Sequence, residues 1–211
     1  MTDVADLSAP STGKREQTKQ QNRRAILDAA RQVFGELGYE VATVRDIIRR
    51  TNLSVGAFYN YYRSKEEVYE ALSDDGARRF RPILSAQHEA ATDFPSYLRG
   101  AITAYFNFIV EEHDSWRDRP LSPDHRHPHV RAETPEMRAV FDQVRWSVSD
   151  VLERGAGPKV DSEYLAAACI AIAREIGDKM LERRPVDVPA AAEFAVQMIL
   201  GGLPALPRLK G

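Results

Sequence analysis

An all-helical fold is what this sequence predicts, on three observations. Apolar residues recur at i, i+3 and i+4 over most of the chain, no stretch of useful length alternates apolar with polar, and Ser, Thr, Asp and Pro stand where helices should begin. The composition, 43% hydrophobic and 28% charged, is that of an ordinary globular protein and excludes fibrous or low-complexity classes. The longest apolar stretch noted, Ala101–Val110, is interrupted by Asn107 and is roughly half of a membrane span. No secretory signal is expected at the N-terminus, and the single cysteine, Cys169, lies among alanines and permits no internal disulfide. These features predict a cytoplasmic protein.

Taken in order, residues 1–17 hold Ser8, Pro10, Ser11 and Gly13 among polar neighbours and are expected to form a disordered arm. A basic cluster, Lys14, Arg15, Lys19, Arg23 and Arg24, leads into a first helix over about 18–37, whose buried stripe is Ile26, Ala29, Ala30, Val33, Phe34 and Leu37. Gly38 ends it. Thr43 suits the N-cap of a short second helix carrying Val44, Ile47 and Ile48. Thr51-Asn52-Leu53 then turns the chain, and Ser54 caps a third helix from Val55, with Phe58 and Tyr62 inward and Gly56, Ala57, Tyr59, Asn60 and Tyr61 on the other side. Ser64 caps a fourth helix, which Asp74-Asp75-Gly76 should weaken and Pro82 should kink or end near Arg79. Four more helices are expected: Asp93-Phe94-Pro95 to about Glu112, Thr134-Pro135 to about Arg154, Asp161 to about Arg184, and Asp187 to about Gly201.

The third helix is unusual for one meant only to pack. A helix that enters the major groove needs a slim first turn and later residues able to reach bases and phosphates. Gly56 and Ala57 supply the first; Tyr59, Asn60 and Tyr61 supply the second, with Arg63 and Lys65 adding cations. Charge agrees: residues 14–65 carry eleven Lys and Arg against five Asp and Glu, while 66–211 carry 18 against 24, a basic head on an acidic body. A helical hairpin whose tyrosines cover a core would use the same residues.

The order Leu53-Ser54-x-Gly56-Ala57-Phe58-Tyr59-x-Tyr61-Tyr62-x-Ser64-Lys65-Glu66, preceded by Ile26-Leu27-x-Ala29-Ala30, Phe34, Gly38-Tyr39 and Thr43-Val44-Arg45-x-Ile47, resembles the N-terminal domain of TetR-family transcriptional regulators. Ile48 and Thr51-Asn52 depart from the family's usual Ala and Ala-Gly. The resemblance implies a helix-turn-helix DNA-binding domain over 18–65 and a larger effector-binding and dimerisation domain over 66–211. It implies that Arg45, Gly56, Ala57 and Asn60 approach bases, that Thr43, Tyr59, Tyr61 and Lys65 hold phosphates, and that Val55 opens the recognition helix. A palindromic double-stranded operator, release by a small-molecule effector, and a homodimer through the last two helices are further implications.

For the body, Tyr105, Phe108, His113, Trp116, Phe141, Arg145, Trp146 and Arg174 could line an effector pocket or fill a solid core. If Arg145 or Arg174 faces a cavity, the ligand should carry an anionic or hydrogen-bonding group. His125, His127 and His129, with Asp124 and His113 nearby, leave a metal-sensing loop open, although spacing of i and i+2 cannot converge on a helix; no metal or other cofactor is expected. A metal hydrolase lacks support, because no nucleophile triad, phosphate loop or helix with paired ligands is visible. A helical regulator or adaptor without an effector is the remaining alternative.

Overall fold

The computed structural model describes residues 11–114, 134–155 and 157–208. Among these there are eight α-helices and no strand: α1 Ser11–Leu37, α2 Val44–Arg49, α3 Val55–Tyr59, α4 Lys65–Ala90, α5 Phe94–Asp114, α6 Pro135–Arg154, α7 Ser162–Glu182 and α8 Val188–Gly202, with a 3-10 turn at Leu203–Ala205. The chain divides into two compact units between Leu72 and Ser73, inside α4 and seven residues beyond the expected boundary.

The core of the first unit joins Ile26, Ala30 and Val33 of α1, Ile47 of α2, Phe58 of α3, Tyr62, and Val68 from the start of α4. Gly38 ends α1 in the left-handed conformation, φ 78°, where a side chain would be strained, and its N–H closes on the Phe34 carbonyl at 3.0 Å. Thr43 forms a capping box with Asp46, and the Ser54 hydroxyl accepts from Ala57 N–H. Two expectations change here. Helix α1 begins at Ser11, so 11–17 are helical, because the Lys, Arg, Glu and Gln that follow Gly13 are good helix formers. Leu37 is exposed where a buried position was expected, since the stripe has rotated off the core by the last turn.

In the second unit, α5 packs against α6, α7 and α8, and Phe80 and Leu84 of α4 join the same core. Thr134, Asp161 and Asp187 cap α6, α7 and α8 as their positions suggested. Helix α4 runs through Asp74-Asp75-Gly76 and Pro82 instead of ending near Arg79. Burial of Ala77, Phe80 and Leu84 along one face outweighs the donor that Pro82 removes. Val188–Ala205 is longer than Ala101–Val110: by length and composition it could cross a membrane, yet only 22% of it is buried. Its open face, not its mean hydropathy, is the informative property.

Candidate nucleic-acid interface and ligand region

The outer side of α2 and α3 is a polar, slim surface on a packed base. Phe58 is completely buried, which fixes the rotation of α3 and turns Val55, Gly56, Tyr59 and Asn60 outward. Tyr59 is 51% exposed and stands edge-on against Phe58, ring centroids 5.5 Å apart at 90°, so its ring is braced while its hydroxyl is presented to solvent. Nothing lies within 4 Å of a Cβ built at Gly56, so glycine there is not demanded by packing inside this chain. Ala57 is half-buried, and Arg45 is exposed without an ion-pair partner among the described residues.

Three members of the expected set have other work in this conformation. Lys65 opens α4, and its Nζ donates to the carbonyls of Tyr39, Glu40 and Ala42 at 2.8, 3.2 and 3.1 Å while lying 4.5 Å from the Tyr39 ring centroid. An ammonium has three donors, so none remains for a phosphate. The Thr43 hydroxyl donates to Asp46 at 2.5 Å within the capping box, and that bond is the main cause holding the Asp46 carboxyl below its usual range. Tyr61 is half-buried after α3 has ended, and its hydroxyl accepts from Asn22 Nδ2 at 2.9 Å, keeping its own proton for a further partner. Asn22 had no signal in the sequence beyond lying among basic residues. Burial, then the Glu66 carboxylate, pushes the Tyr39 phenol up to about 12, so it stays a donor toward Glu66 at neutral pH.

In the second unit the aromatic candidates separate. Tyr105 and Phe108 of α5 surround Phe80 of α4, with centroids at 5.6 and 5.2 Å. Gly177 lets α7 approach them: a Cβ there would meet Ile109 at 2.8 Å, Phe106 at 3.3 Å and Tyr105 at 3.5 Å. Burial raises the Tyr105 phenol well above the ordinary range, the charge of Asp178 adds to this, and Arg174 one turn earlier opposes it. Arg174 is half-buried and has no hydrogen-bonded or ion-paired partner among the described residues.

Arg145 and Trp146 do not join this cluster. Arg145 is exposed and held by Asp142 at 3.0 Å and Glu163 at 3.5 Å; Trp146 is 57% exposed and lies against the His88 ring at 4.4 Å. The inward positions of α6 are Val140, Ser147, Val148, Val151 and Leu152, and this register turns 145 and 146 outward. Phe141 is half-buried and outside the core cluster. The side chain of His113, and Trp116, Asp124, His125, His127 and His129, lie outside the described residues. No group of three or more His, Cys, Asp or Glu that could hold a metal occurs among the described residues. A separate groove of about 520 Å³, which the candidates did not include, runs between α4, α5 and α8 past Gln87, Thr103, Asn107 and Val196, bridged by Arg99 and Glu193 at 2.5 Å.

A capped two-helix hairpin that presents a slim, tyrosine-bearing helix defines the class: a helix-turn-helix transcriptional regulator. Residues 26–72 match the model of the TetR family of bacterial regulatory proteins, so the N-terminal DNA-binding domain is of that type. The transcriptional activator FasR of Mycolicibacterium smegmatis is 29% identical over 196 residues, 90% of this chain and 86% of that one. The repressor KstR of the same organism is 34% identical over 110 residues, 52% of this chain and 49% of its own. Among solved structures, the fatty acid degradation regulator FadR of Bacillus halodurans superposes with a TM-score of 0.68 at 21% identity, covering 86% of this chain and 95% of that one. FadR of Bacillus subtilis, solved in complex with stearoyl-CoA, gives 0.68 at 15% identity over 85% and 98%. At these identities the structural likeness concerns the fold.

Proposed function

We propose that this chain is a dimeric repressor that binds a palindromic operator through α2 and α3 and is released by a small apolar ligand bearing a polar or anionic group. The observation that carries the DNA reading is the outward face of α3, where Gly56, Tyr59 and Asn60 are exposed above a buried Phe58. Arg45, Ala57 and Asn60 approach bases beside Gly56 and Val55. Tyr59 and Tyr61 hold phosphates. Thr43 does so only by exchanging its bond to Asp46.

Support for the dimer is the uncovered apolar side of the last two helices: Tyr164 is 78% exposed on α7, and Phe194 and Met198 are 60% and 56% exposed on α8. Such a patch is what an isologous helical interface would cover. The ligand region is inferred at Tyr105, Phe108 and Arg174, where a half-buried guanidinium without a counter-ion among the described residues adjoins half-buried aromatic rings. Long-chain acyl thioesters are the first compounds to try, given the ligand of the B. subtilis structure.

Selection of bound duplexes from a random pool should return an inverted repeat with half-sites about 34–36 Å apart, or a multiple of that. Tyr59→Ala should abolish selective binding and leave the dimer intact in sedimentation. A monomer at micromolar concentration, or a selection that returns no repeat, refutes the proposal. Loss of ligand-driven release in Arg174→Gln, but not in Arg145→Gln, tests the ligand region.

A further inference from the structure

The N-terminal half of helix α1 is exposed and basic. The residues from Gly13 to Ala25 are exposed apart from half-buried Asn22, and α1 reaches its first fully buried residue only at Ile26. Within that stretch stand Lys14, Arg15, Lys19, Arg23 and Arg24 against one acid, Glu16, and none of the five cations has a carboxylate partner among the described residues. Arg15, Lys19 and Arg23 are spaced i, i+4 and i+8, so they form one stripe. Like charges at that spacing repel, by about 0.2–0.5 kcal/mol per pair in an isolated helix, and no carboxylate among the described residues offsets it.

The direction of the stripe is fixed by contacts. Ile26, further along the same face, is fully buried; Asn22 donates to the Tyr61 hydroxyl at 2.9 Å; and the Arg23 guanidinium lies 5.8 Å from the centre of the Tyr62 ring. The stripe therefore points to the side on which the chain leaves α3. At about 1.5 Å per residue, Lys19 and Arg15 lie roughly 4.5 and 10 Å along the axis beyond Asn22. That distance is commensurate with successive phosphates on one strand, about 3.4 Å of rise apiece.

We propose that Arg15 and Lys19 on the α1 stripe contact two backbone phosphates immediately outside the half-site read by α3. The inference rests on the DNA-binding reading above and adds to it a surface without base specificity. The contact is electrostatic, so its signature is salt dependence. Each lost phosphate contact lowers the slope of log K against log salt by about 0.9, so the double variant R15Q/K19Q should lose about 1.8. The advantage of the wild type over that variant should then shrink about tenfold between 50 and 200 mM salt.

The experiment uses the full-length dimer and the palindromic duplex recovered from the random pool, with binding measured across that salt range and phosphate ethylation interference on both strands. The expected result is a shallower slope, loss of the interference signals flanking each half-site, and unchanged ranking of base substitutions within it. A slope and flanking pattern equal to the wild type overturns the inference while leaving the regulator reading intact. An altered base ranking also overturns it, since phosphate contacts do not read bases. If the wild type selects no duplex, both readings fall. Circular dichroism and thermal melts of R15Q/K19Q should match the wild type, because both positions are exposed, and R15E/K19E should deepen the loss without unfolding the protein.

Discussion

Replacing Lys65 by Met tests whether this residue braces the first unit or grips DNA. The ammonium ties three carbonyls of the segment between α1 and α2 to the start of α4, two of them in part-buried positions, and covers the Tyr39 ring. A hydrogen bond from a charged group contributes about 1.5–3 kcal/mol where water is excluded. Lys65 is half-buried, so the low end applies to the two part-buried bonds and the exposed one counts for little. A cation over a partly exposed ring adds about 0.5–1 kcal/mol. The total is about 3.5–4 kcal/mol, against roughly 5–15 kcal/mol for a whole domain.

That loss should lower the melting of the first unit by on the order of 10 °C or more. The assay needs care, because residues 1–72 contain no tryptophan. Amide hydrogen exchange is suitable: protection in α2 and at Ala42, whose N–H donates to Gly38 at 3.1 Å, should collapse in Lys65→Met. Lys65→Arg should rescue little, since a planar fork cannot converge on three carbonyls as a point charge does. Unchanged protection together with weakened operator binding would show Lys65 to be a phosphate ligand and would refute the brace.

Other outcomes follow from the second unit. Tyr97 Oη and Ser147 Oγ are buried without a hydrogen-bond partner among the described residues, even though Ser147 is near enough to lower the phenol against the larger push of burial, which leaves it at about 12; Tyr97→Phe should therefore be neutral or stabilising by about 1 kcal/mol in urea denaturation followed by tryptophan fluorescence. The Asp150 carboxyl is held below its usual range, chiefly by the bond from His88 at 2.7 Å, so its contribution to stability is complete above about pH 4 and fades as pH falls through the depressed value; the difference in melting between wild type and Asp150→Asn should close on acidification. Burial pushes the Cys169 thiol up to about 12, and a thiol reagent at pH 8 should modify it only at the rate of unfolding.

Local signals were legible in the sequence and tertiary bookkeeping was not. Thr43, Ser54, Thr134, Asp161 and Asp187 each cap the helix expected of them, because a cap involves only three or four neighbouring residues. Lys65 could not be read, since its carbonyl partners lie 23 to 26 positions away. Arg145 and Trp146 were chosen by residue type, whereas register decides burial: Ser147 is fully buried and its neighbour Trp146 is exposed. A polar run such as residues 11–17 fits an arm and a solvated helix equally well, because neither buries an apolar face.

Charge pairing separates the basic run of α4 from the exposed cations of α1 to α3. Helix α4 carries Arg78, Arg79 and Arg81, a basic run that could pass for a nucleic-acid surface. Arg79 is bound by Asp75 and Glu112, and Arg78 and Arg81 both lie within 4 Å of Glu136, so a phosphate approaching them would first have to displace carboxylates. Arg15, Lys19, Arg23, Arg45 and Arg63 in the first unit have no such partners among the described residues. A polyanion gains counterion-release free energy at those five positions without breaking an internal pair, whereas on α4 it would exchange one pairing for another. The difference places the DNA-binding surface on the first unit by an argument that does not use the helix-turn-helix motif.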